Sequence, residues 1–219
     1  MKAGIAAGML LLGLGGRAAA AELTETRLWQ ERYFWDGLLQ SRDRAARSAA
    51  DPRLIEVVNT LAYQVAQQSA NIAQIRTYVK GQVDNLKYAF AQRDPGPSLT
   101  TIQNNFDTLA RGAEQVRNNL YYLTTRARMS ATQALPDPKL SETAKLVIAQ
   151  IQQVQLQLND LYLDTVAVYG TVQGETWAVN DFFRFSANHL LWMVVQVQDA
   201  VFSVYNATFE LYLLSKETP

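Results

Sequence analysis

The chain contains no cysteine. That absence excludes disulfide frameworks, thiolate zinc sites, iron–sulfur clusters, covalently attached haem and cysteine nucleophiles. One histidine leaves little for metal binding or acid–base chemistry. Charge of one sign is also lacking: 20 basic side chains face 20 acidic ones, so no global field recruits nucleic acid or an anionic surface. Glycine (11) and proline (6) are sparse in 219 residues, and strand-like alternation of period two is nowhere sustained. No Glu-x-x-His, Gly-x-Ser-x-Gly, phosphate-cradling glycine loop or zinc spacing occurs. No catalytic residue, cofactor or metal site is therefore expected. With 48% hydrophobic residues the chain does carry enough apolar material for a core.

The first 21 residues read as a secretory signal peptide. Lys2 provides a positive start, residues 3–16 form a small-plus-leucine apolar run, and Ala18 to Ala21 offer the small-x-small pattern of a signal-peptidase site. At about 1.5 Å per residue that run spans roughly 21 Å as a helix, short of a ~30 Å hydrocarbon core. No cysteine follows, which excludes lipoprotein processing. The expectation is an exported chain, periplasmic or extracellular, whose mature part begins near Glu22. Removing Lys2 and Arg17 leaves 18 basic and 20 acidic residues, a net charge of −2.

The mature part reads as all-α, an elongated antiparallel bundle of four to five long, coiled-coil-like helices in a single domain over residues 22–219. Prolines mark its joints. Asp51-Pro52 and Asp137-Pro138 place a capping aspartate before a proline at the first helical position, and Asp94-Pro95-Gly96-Pro97-Ser98 offers Ser98 as a cap. The expected helices are 22–48, 52–93, 98–134, 138–172 and 176–216, the last two separated by a break near Gly170 and Gly174 or else one bent helix.

Between the joints apolar residues recur in alternating steps of three and four. One seam runs Leu54, Val58, Leu61, Val65, Gln68, Ile72, Ile75 and Val79, then slips by one residue to Val83, Leu86 and Phe90. The core should include Leu61, Val65, Ile72, Leu109, Val116, Leu120, Ile151, Leu158, Leu190, Val197, Val204 and Leu211. Residues from 51 and from 137 also echo each other in type and phase at an offset of 86, as a duplicated hairpin or two helices under one packing rule would.

The stretch 146–215 holds only seven charged residues, and Leu190-Leu191-Trp192-Met193-Val194-Val195 is apolar on every face of a helix. Polar interruptions break it before it reaches membrane-spanning length, so a helix at the bundle centre is expected. Aromatics gather in two segments. Trp29, Tyr33, Phe34 and Trp35 lie near the mature N-terminus, and Trp177, Phe182, Phe183, Phe185 and Trp192 lie late in the chain. Adjacent rings such as Phe182 and Phe183 point roughly 100° apart on a helix, so one core face does not take them all.

The candidate interaction surface is accordingly Trp29, Phe34, Trp35, Trp177, Phe182, Phe183, Phe185 and His189. His189 reads as a core or interface histidine, or else as a pH-sensitive group. Asp160 and Asp164, one turn apart, read as an ordinary solvated pair. The arginines at 42, 44, 47, 126 and 128 suit helix C-termini. Nineteen glutamines and 11 asparagines make an amide-rich surface able to pair side by side.

The function expected is an exported, non-enzymatic structural or interaction protein of a bacterial cell envelope, a helical spacer or assembly subunit docking through aromatic surface. It would have a protein partner or self-association and no nucleic-acid partner. The alternative is a membrane-active, pore-forming-like or apolar-ligand-binding bundle in contact with membrane.

Overall fold

Aspartate–proline joints start two of the helices. In the computed structural model, which describes residues 51–92, 95–175 and 179–216, Asp51 Oδ1 accepts the N–H of Arg53 (2.9 Å), and Asp137 Oδ1 accepts those of Lys139 (2.8 Å) and Leu140 (3.0 Å). The prolines that follow have no N–H to orphan. These caps open α1 (Pro52–Phe90) and α3 (Pro138–Gly174). Between them lies α2 (Gly96–Gln133), and α4 (Asp181–Ser215) follows. Among the described residues these four helices make up the fold, an all-helical bundle. The expected signal peptide and the helix over 22–48 lie outside the described residues.

Several boundaries differ from expectation. α2 begins at Gly96, with Pro95 in the cap position and no side-chain cap, and Ser98 Oγ instead donates to Gln92 Oε1 (3.1 Å) across the turn. α1 stops at Phe90. α3 continues through Gly170 to Gly174, so the last two helices are separate. α4 is capped by Asn180, whose Oδ1 accepts the Phe183 N–H (2.8 Å).

Each core residue expected above is buried. The α1 seam, however, does not slip. Its buried positions continue Val79, Gln82, Leu86 and Ala89 in unbroken steps of three and four, and Val83 and Phe90 pack partly buried at the flank. Gln82 is tolerated inside because its amide is satisfied: Nε2 donates to Tyr78 O (3.1 Å) and Oε1 accepts from Asn105 (3.2 Å). Gln68 Oε1 likewise accepts from Asn119 and from Asn71, each at 3.3 Å.

These side-chain bonds define the topology. Gln82–Asn105 and Gln68–Asn119 share the sum 187, the signature of antiparallel α1 and α2. Ser69 donates to Gln157 (2.6 Å) and Arg76 to Asp164 (2.9 Å), both 88 residues apart, so α1 and α3 lie side by side and parallel. The Asp137 N–H donates to Ser215 O (2.8 Å), tying the start of α3 to the end of the antiparallel α4. Around the bundle the order is α1–α2–α4–α3, and α2 and α3, consecutive in sequence, face each other across the diagonal. Buried amide pairs of this kind hold register at some cost in stability. At ~1.5 Å per residue each helix is about 50–60 Å long.

Gly81 and Gly170 sit inside helices, and an added Cβ would meet no atom within 4 Å at either. Gly81→Ala and Gly170→Ala are each expected to stabilise the bundle by about 0.5–1 kcal/mol, by removing backbone freedom from the unfolded chain. A thermal melt followed by circular dichroism should show each midpoint rising by about 1–4 °C. An unchanged or lowered midpoint would contradict the helical placement of these residues.

Candidate interaction surface

α4 is a corner helix, not a central one: among the described residues it packs against α2 and α3. Its inward face repeats at seven residues through Phe183, Leu190, Val197, Val204 and Leu211, with small residues such as Ala187, Ala200 and Ala207 beside them. This face accounts for only part of its apolar content.

The rest points outward. Phe182 (64% exposed), Phe185 (62%) and Trp192 (51%) follow one another in helical steps along its N-terminal half. His189 lies half-buried between two of these rings, its centroid 6.1 Å from Phe185 at 14° and 6.2 Å from Trp192 at 23°. The result is a stacked ladder over two turns. A second ladder, Tyr205, Phe209 and Tyr212, with centroids 6.0 and 6.1 Å apart, lies on the other flank of the C-terminal half, where the two tyrosines also pack against the core.

The sequence-selected residues separate accordingly. Phe182, Phe185 and His189 come together on the outer face. Phe183 does not belong there: it is 2% exposed and meets Phe106 edge-on, with centroids 5.5 Å apart at 64°. Its place in the core follows from the 100° step that throws Phe182 outward. Trp29, Phe34, Trp35 and Trp177 lie outside the described residues, as do the arginines at 42, 44 and 47. Nothing in the sequence marks Tyr205, Phe209 and Tyr212 as surface, because aromatics at steps of three and four read equally well as core.

The four sides of the bundle differ. Outward positions of α2 at seven-residue spacing are Asn104, Arg111, Asn118 and Thr125, all polar and exposed. On α3 they are Ala149, Leu156, Leu163 and Gly170, with both leucines more than half exposed. On α4 they are Asn188, Val195, Phe202 and Phe209. The charge-poor stretch 146–215 is thus the α3–α4 side of the bundle. Its apolar residues exceed what the inner faces absorb.

Charge collects elsewhere. Arg76 of α1 pairs with both Asp160 (2.8 Å) and Asp164 (2.9 Å) of α3, so these carboxylates clamp a guanidinium across two helices. Beside the clamp is an open depression lined by Ala73, Thr77, Lys80, Gly81, Asp84 and Gln157. The hydrogen bond to Asp164 lifts the Arg76 pKa above its usual value, desolvation works against the rise, and the charges of Asp160 and Asp164 add to it. A cation with a raised folded-state pKa contributes wherever it is charged and stops only as pH climbs through that value, so Arg76 itself brings no pH dependence near neutrality. Arg76→Gln is expected to lower the melting midpoint at low ionic strength and to do so far less at about 1 M salt, where the screening length is ~3 Å. An effect independent of salt would mean that the side chain acts through packing instead.

Among the described residues no three histidine, aspartate or glutamate side chains form a group able to hold a metal, and no helix is long and apolar enough to cross a membrane. Comparison with protein-family models, curated proteins and solved structures finds no match to this chain.

Proposed function

We propose that this chain is an exported, non-enzymatic interaction protein of a bacterial cell envelope, a helical spacer or assembly subunit that docks through the outward aromatic face of α4. The observation that carries the reading is the exposure of Phe182, Phe185 and Trp192 on a helix whose inner face is already buried. Exposed rings in a contiguous row mark interaction surface, and aromatic anchors supply much of the energy where proteins meet. Export rests on the N-terminal pattern of Lys2, the apolar run 3–16 and the alanines before Glu22. The amide-rich polar surface suits side-by-side packing without strong charge repulsion.

The test is chemical crosslinking of intact cells that produce the protein. The native chain should run in a discrete larger species. The Phe185→Ala, Trp192→Ala double variant should run at its own mass, with helicity unchanged by circular dichroism. A native chain that stays uncrosslinked while releasing dye from liposomes would replace this reading with the membrane-active one.

A further inference from the structure

The geometry points to a second copy of this chain as the occupant of the α4 face, the two α4 helices crossing antiparallel about a two-fold axis between Asn188 and His189. This inference rests on the proposed docking role and names its partner.

A closed dimer needs a patch complementary to itself. Rings of roughly 150–250 Å², exposed to the extents observed at Phe182, Phe185 and Trp192, present about 350 Å² of aromatic surface per chain. Two copies then bring together about 700 Å² of ring, close to half of a standard interface of ~1,600 Å². The half-buried Val195, one turn on from Trp192, extends the same face.

Charge decides between the two possible directions. Residues 185–198 carry no formal charge, so α4 meets its own copy there without repulsion. A parallel crossing would set each residue against itself, bringing Asp199 onto the partner's Asp199. The antiparallel crossing avoids this clash. It sets Phe185 on the partner's Trp192 and leaves Asp199 beyond the overlap. Phe185 and Trp192 lie at equal distances from the axis, so each ring finds an unlike ring opposite. The outward face of α2, with Arg111 at its middle, has no comparable uncharged row.

The test is solution mass by light scattering of the purified full-length protein without detergent, on four versions: native, Phe185→Lys, Trp192→Glu, and the two substitutions combined. Both positions are more than half exposed, so the variants should keep native helicity, and their melting should fall only by the stabilisation that dimer formation gives the native protein. The native protein should have twice the chain mass. Each single variant should weaken association by roughly 30-fold or more, because the two-fold axis removes the anchor from both chains at once, and should scatter as a monomer. The combined variant should regain the dimer, because only the antiparallel crossing sets the two new charges opposite each other. A native monomer at tens of micromolar, single variants that stay dimeric, or a combined variant that stays monomeric would each overturn the inference. So would native protein that is recovered only with detergent, which would assign the face to lipid. A native monomer that still forms an α4-dependent adduct in cells would end the self-association and leave the docking role standing.

Discussion

In solutions dilute enough for the chain to be monomeric, Phe183→Ala is expected to lower the free energy of unfolding by about 3–5 kcal/mol, whereas Phe185→Ala, two positions on, should change it by no more than about 0.5 kcal/mol. The rings are chemically identical and differ in surroundings. Phe183 is 2% exposed and packs edge-on against Phe106, so its removal leaves a cavity between α2 and α4. Phe185 is 62% exposed and stacks on His189 of its own helix. A double-mutant cycle with Phe106→Ala should return a coupling of about 0.5–1.5 kcal/mol, as edge-to-face pairs do. Urea denaturation followed by circular dichroism measures all of these. Equal costs at 183 and 185 would contradict the division of α4 into a folding face and an outward face.

The second large effect belongs to a cap. Asp137→Ala is expected to cost about 1–2 kcal/mol, at the upper end for such substitutions. Its carboxylate accepts two N–H groups, one from the buried Leu140, while its own N–H donates to Ser215 at the far end of the chain. Removing the carboxylate strands a donor where water has little access. Asp51→Ala is the natural comparison. That carboxylate accepts a single N–H at an exposed position, and its loss should cost about 0.5–1 kcal/mol. Thermal melts of the two variants should show the larger drop for Asp137→Ala. A reversed order would mean that the junction between α3 and α4 is not closed as described.

Much of this fold is legible in the sequence because long heptad helices declare themselves locally. Proline, aspartate and the three-four spacing are short-range signals, and the inward residues of all four helices follow from them. Neighbour choice is not local. A seam says that a helix has a partner, and only cross-helix pairs such as Ser69–Gln157, Arg76–Asp164 and Gln68–Asn119 say which partner and in which direction. The echo at an offset of 86 puts like residues in phase, yet α1 and α3 meet at an offset of 88. Like caps and like periods do not by themselves set the register.

The misplaced slip at Val83 has a similar origin. An apolar side chain next to Gln82 looks like the better core residue until Asn105, on another helix, supplies the amide's partner. The apolar run 190–195 suggested a central helix. At a corner, Leu190, Met193 and Val194 turn inward, while Leu191, Trp192 and Val195 are left toward the outside. Which of the clustered aromatics face outward became visible only once the α4 register was known, and that register removed Phe183 from the surface and brought Trp192 into it.

The central claim is that the bundle has one docking side, centred on the outward face of α4. Site-specific photo-crosslinking in cells tests it most directly, with the photoreactive residue placed in turn at Phe185 on α4, Asn104 on α2 and Thr77 on α1. All three positions are exposed and point away from the core, so each variant should fold as the native chain does. Irradiation should give a strong, discrete protein adduct from position 185 and little from 77 or 104. Strong adducts from 77 or 104 together with none from 185 would contradict the account.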